Sequence, residues 1–165
     1  MSAKEFEASK QSGLHRELAK LVGEWEGIGR VWFEPGKLAE EAPIRGAIRS
    51  VLDGRFVVHE YESTFMGAPQ QGLAIFGYHL DRERYEVAWI DSGHNGTAIM
   101  YSTSERTRGP LNVLGHYGGD GDDAPWGWRT TIELPDANRL VITSYNITPQ
   151  GEEAKAVEVV YQRVR

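Results

Sequence analysis

The chain has 165 residues, a formal net charge of −6 and no cysteine. The length sets a single domain as the expectation. The missing thiols exclude disulfide frameworks, thiolate metal sites and cysteine nucleophiles, and an acidic chain without a Lys/Arg block is a poor partner for nucleic acid.

Residues 1–11 are polar and are expected to form a flexible N-terminal segment ahead of one domain spanning 12–165. Met1–Gly13 contains no leader-like apolar stretch, and no run approaches the ~18 apolar residues of a membrane helix, so a cytoplasmic location without membrane contact is expected. Helical period occurs once. Leu14, Leu18 and Leu21 fall at i, i+4 and i+7, with Ser12 as a candidate N-cap and Gly23 as the stop.

After Gly23 the chain alternates at period two. The predicted strands are Glu24–Phe33, Glu41–Val51, Arg55–Phe65, Gln71–Leu80, Tyr85–Ile90, Thr97–Thr103, Asn112–Tyr117, Gly127–Leu134, Arg139–Thr148 and Ala154–Val164. Turn chemistry separates them, as at Asp53-Gly54, Gly67-Ala68-Pro69 and His94-Asn95-Gly96. Five Trp and seven Tyr with nineteen Gly fit aromatic strands punctuated by turns. About ten strands with short joins tend to close on themselves, because closure removes exposed edges. The expected fold is all-β: one closed antiparallel up-and-down barrel with a short N-terminal helix. The longest irregular stretch, Ser104–Pro125, is expected at the rim around its Gly118–Asp123 core.

In the first strand Trp25, Gly27, Gly29, Val31 and Phe33 share a face opposite Glu24, Glu26, Ile28, Arg30 and Trp32. The charged face belongs outside, and two inward glycines leave room inside. Gly23-Glu24-Trp25 at the start of the first strand resembles the Gly-x-Trp signature of lipocalins and related calycin barrels, including fatty-acid-binding-protein-like ones. That resemblance implies a Trp plug at the closed end under an Arg of the last strand. Trp25 and Arg163 are the matching pair. Gly-Glu-Trp-Glu-Gly at 23–27, Val-Leu-Asp-Gly-Arg-Phe at 51–56, Glu-Tyr-Glu-Ser-Thr-Phe-Met-Gly at 60–67, Gly-Tyr at 77–78 and Trp-Ile-Asp-Ser at 89–92 resemble the bacterial domain of unknown function 1579 family. The resemblance runs from about Leu18 to the C-terminus. It implies a calycin-like barrel and no particular activity.

On the third strand, either His59 and Tyr61 or Glu60 and Glu62 face inward. Burying two unpaired carboxylates costs more, so His59 and Tyr61 are expected inside as ligand anchors. Asp91, Ser92 and His94 have triad composition, but one tight hairpin gives the three residues no separate support, and no catalytic relay is expected. Asp120, Asp122 and Asp123 lack the bidentate Glu of a calcium loop, since Thr131 occupies its place. The five His show no zinc spacing. Haem-binding nitrobindin barrels share the Gly-x-Trp-x-Gly start, but their proximal His lies near the C-terminus, and this chain has no His after His116. No cofactor is therefore expected, haem being the nearest alternative.

The leading expectation is a barrel that holds a small apolar or amphipathic molecule, with Trp89, Trp126, Trp128, Tyr61 and Tyr145 as wall or rim residues and His59 and Tyr61 as anchors. A second is a cofactor-free isomerase or hydrolase using His59 as base. A third is a packed barrel without a cavity, whose exposed Trp32 and Ile28 form a homodimer seam.

Overall fold

The computed structural model describes residues 1–165 and forms a closed barrel of ten antiparallel strands, each hydrogen-bonded to its sequence neighbours, with β1 and β10 completing the ring. The strands are β1 (Gly23–Glu34), β2 (Lys37–Val51), β3 (Phe56–Phe65), β4 (Ala68–His79), β5 (Arg84–Asp91), β6 (Met100–Thr103), β7 (Asn112–Tyr117), β8 (Trp126–Asp136), β9 (Arg139–Ile147) and β10 (Glu153–Arg163). The predicted strands fall on these, with most ends displaced by one to three residues. The largest lengthening is in β2, which begins at Lys37 because a two-residue turn at 35–36 joins it directly to β1.

Two helices precede the barrel: α1 (Ala3–Ser12) and α2 (Leu14–Ala19). The second is the predicted one, started by Gly13 rather than Ser12. The first lies where a flexible segment was expected. Its reason is local: Ser2 and Glu5 form a reciprocal capping box, and Phe6 is buried at 2% exposure under the Arg55 guanidinium, 4.4 Å from its ring centroid. A single anchoring aromatic among polar residues leaves no repeated apolar stripe to read. No helix is long and apolar enough to cross a membrane.

The helices cover the end of the barrel where β1 begins. Leu18 and Leu21 enter the core there beside Trp25, which is fully buried and donates its indole N–H to the Leu21 carbonyl at 2.9 Å. Trp25 and Arg163 are paired across β1 and β10, and the guanidinium stands 4.2 Å from the Trp25 ring centroid. Arg163 also donates to the carbonyls of Lys20, Val22 and Ala137, tying the helix, the first strand and the β8–β9 turn together. A side chain at position 23 would overlap the Arg163 guanidinium, which is why glycine stands two residues before the Trp. The plug expected from Gly-x-Trp is present.

Ser104–Pro125 divides around β7. Residues 118–125 lie at the open rim, as expected. Residues 104–111 lie instead at the closed end, where Thr107 and Gly109 carbonyls accept from the hydroxyls of Tyr78 and Tyr85, and Glu83 pairs with Arg106 and Arg108. The correction follows from strand parity: β6 runs toward the closed end, so the segment after it belongs there.

Candidate functional site

Glu60 and Glu62 face solvent, Glu60 pairing with Arg49 across the outer surface. Val57, His59, Tyr61 and Ser63 therefore point inward. The half of the barrel away from the helices encloses a cavity of about 110 Å³. Its existence follows from small inward residues. Gly29, Ala42, Ala74, Ser102 and Ser144 withhold volume where larger side chains would meet, while Ile44, Phe76, Val87, Ile142, Val157 and Val159 supply apolar wall. The packed-barrel alternative required no cavity, and Trp32 and Ile28 are half-buried rather than exposed, with Lys155 lying over the Trp32 ring. A larger groove of about 690 Å³ crosses the outer face past Arg45, Glu60 and Glu62. Its charged, solvent-washed lining makes it a feature of the surface, so the candidate site is the inner cavity.

One side of the cavity is polar and centred on Asp91, whose side chain is fully buried at the end of β5. Its Oδ1 accepts backbone N–H groups of Gly93, His94 and Asn95, which folds the 92–95 turn around it. Its Oδ2 accepts from the Tyr61 hydroxyl at 3.1 Å, the Gln70 amide at 2.8 Å and His94 Nδ1 at 2.9 Å. Burial works against the charged carboxyl, but hydrogen bonds from His94 and the turn outweigh it and hold the group down to about 2. Tyr61 in turn accepts from the Trp89 indole at 2.9 Å. Its phenol is pushed far above its ordinary range, first by burial and then by the charge of Asp91. Gly46 and Gly72 flank Tyr61 on the adjacent strands. A side chain at 72 would overlap the Tyr61 ring, and one at 46 would overlap the Tyr161 hydroxyl.

Aromatic rings close over this cluster. Trp89 and Trp128 stack at 5.6 Å and 16°, and His94 lies against both and against Phe65, whose centroid is 4.6 Å away. His94 Nε2 is the single buried side-chain nitrogen or oxygen in the protein without a hydrogen-bond partner. Leaving such an atom unsatisfied costs about 1–3 kcal/mol.

A family model described as a protein of unknown function (DUF1579) matches residues 10–163. The chain belongs to this family. No curated protein matches the sequence. Among solved structures, the S-type phycobiliprotein lyase CPES from Guillardia theta is similar, with a TM-score of 0.55 and 15% identity over 96% of this chain and 97% of that chain. A protein of unknown function from the DUF3598 family of Nostoc punctiforme PCC 73102 gives a TM-score of 0.30 and 10% identity over 93% and 100% of the two chains. The first likeness is one of fold, and the second is too loose to add to it.

In this DUF1579 protein four of the five expected pocket residues, His59, Tyr61, Trp89 and Trp128, line the cavity together. Tyr145 does not. Leu140, Ile142 and Ser144 are the inward positions of β9, so alternation turns Tyr145 outward between Arg129 and Lys155. Trp126 stands at the rim, with its ring 6.4 Å from Tyr117. The expected anchors are also already occupied. His59 Nε2 is bonded to the Tyr161 hydroxyl at 3.0 Å, and the Tyr61 hydroxyl is engaged by Trp89 and Asp91. Burial lowers His59 to about 4, which leaves it neutral and weakly basic near pH 7.

The residues that the sequence reading set aside are Asp91 and His94. Their pairing forms because Tyr61 and Gln70, from β3 and β4, support the carboxylate from outside the hairpin. Ser92 takes no part, since its hydroxyl accepts from the Gln71 backbone instead. No three His, Asp or Glu side chains converge as a metal site.

Proposed function

We propose that this protein binds a compact apolar or amphipathic small molecule inside the open half of the barrel. The observation that supports the reading is the cavity itself, apolar on most sides with one buried polar cluster, which is the usual make-up of a ligand pocket. At about 110 Å³ it falls below the roughly 300–1,000 Å³ of drug-sized sites. The occupant is therefore a single small ring or short chain, or the end of a longer molecule that leaves through the rim.

An environment-sensitive apolar dye tests this. It is expected to bind the native protein at about one per chain. Gly29 lines the cavity, and a Cβ there would touch only the Ala42 carbonyl at 3.8 Å. Gly29→Leu would then project into the cavity and abolish binding in a folded protein. Unchanged dye binding in folded Gly29→Leu would move the site outside the barrel and overturn the reading.

A further inference from the structure

The polar cluster is almost closed upon itself. Trp89, Tyr61, Gln70 and the 93–95 backbone all direct their donors into one another or into Asp91. The exception is His94. Its Nδ1 meets the Asp91 carboxylate at 2.9 Å, its Nε2 is buried and unpartnered, and the residue itself borders the cavity. A carboxylate only accepts, so Nδ1 carries the ring proton and Nε2 is an acceptor. The Gln70 amide nitrogen also lies 3.2 Å from Nδ1, but it donates to Asp91 at the shorter distance of 2.8 Å and leaves the tautomer to the carboxylate.

Building on the pocket reading above, we infer that His94 Nε2 is the recognition atom of the pocket and that the ligand is an aromatic alcohol or a similar flat ring bearing one O–H or N–H donor. The flat shape follows from the walls. Phe65, Trp89 and Trp128 pack around the His94 ring with centroids 4.6, 5.8 and 6.0 Å away, so the space beside it is bounded by aromatic rings. At about 110 Å³ the cavity is smaller than the roughly 150 Å³ that admits benzene, so a single ring would sit with its far edge toward the open rim. Asp91 is a positioning residue: it holds His94 in the accepting tautomer and does not itself face the ligand, its oxygens being filled by the turn, Tyr61, Gln70 and His94.

Phenol and toluene separate the inference from the reading beneath it, because they share a ring and differ by an O–H in place of a methyl. Calorimetric titration of the full chain is expected to show both binding. The phenol-to-toluene affinity ratio is expected to fall about tenfold in His94→Leu, as for loss of one buried hydrogen bond. In Asp91→Asn the amide donates to Nδ1, the proton moves to Nε2, and benzaldehyde, which only accepts, overtakes phenol. Nitrogen-15 spectra of the wild type give a readout independent of any variant. His94 Nε2 must resonate as an unprotonated nitrogen, and phenol but not toluene must shift it. An equal ratio in wild type and folded His94→Leu, or a protonated Nε2 in the free protein, overturns the donor-ligand inference and leaves the pocket standing. Failure of both rings to bind the wild type overturns the pocket reading and the inference together.

Discussion

Trp25 and Gly29 stand four residues apart on the inward face of β1, in opposite surroundings. Trp25 is fully buried, beneath Arg163 and packed with Leu18 of α2 and Leu21 just after it. Gly29 looks into a cavity where an added Cβ would find one atom in ordinary contact. The same strands thus build a packed closed half and a hollow open half. Alternation decides which residues point inward, but side-chain volume and the presence of a lid decide whether the interior fills.

The closed half should carry the larger penalties. Trp25→Ala is expected to destabilise the protein by about 3–5 kcal/mol in chemical denaturation, as for other large buried aromatics. Arg163→Ala should couple to it by about 0.5–3 kcal/mol, because each residue holds the other against the helix. Strict additivity in the double variant would break the plug as a unit.

At the boundary between the halves, His59 makes stability depend on pH. Its folded value of about 4 lies below its unfolded value of about 6.5. Between those values the unfolded chain takes up a proton that the native state refuses, so stability falls as pH drops from 6.5 to 4. The loss is on the order of 3 kcal/mol. His59→Gln, which keeps a partner for Tyr161, should flatten that slope in denaturation curves recorded across the window. Asp91 acts in a separate and lower window, its contribution disappearing as pH falls from about 3.8 through 2. An undiminished slope in His59→Gln would assign the effect to other groups, of which the buried His15, also lowered by burial, is the nearest in kind.

Two glycines give the smallest and cleanest version of the contrast. At Gly27 a Cβ would overlap the Val160 carbonyl, so Gly27→Ala forces the backbone to move and should cost about 1–3 kcal/mol. At Gly29 a methyl has room, and Gly29→Ala should gain about 0.4–1 kcal/mol by restricting the unfolded chain. Equal effects on melting temperature would mean that the two halves are equally packed.

The barrel was legible because its signals are local. Period-two alternation and turn residues marked ten strands, and the cost of burying Glu60 and Glu62 chose the register of β3. The Tyr145 assignment failed because aromatic character was followed where parity along Leu140, Ile142 and Ser144 pointed the other way. The helix at 3–12 was missed because a capping box and one anchoring Phe carry no period.

By itself the sequence determined the closed barrel, the Trp25–Arg163 plug and the inward pair His59 and Tyr61. Each rests on neighbours in the chain or on a motif of three residues. Tertiary structure alone decided that the open half is hollow, that Asp91 and His94 form a supported pair, and that one nitrogen is left free. The reason is that these depend on what arrives from across the barrel. Tyr61 and Gln70 come from β3 and β4 to hold Asp91, while Phe65, Trp89 and Trp128 come from β3, β5 and β8 to enclose His94. Strand closure sets those meetings, and no spacing along the chain records them.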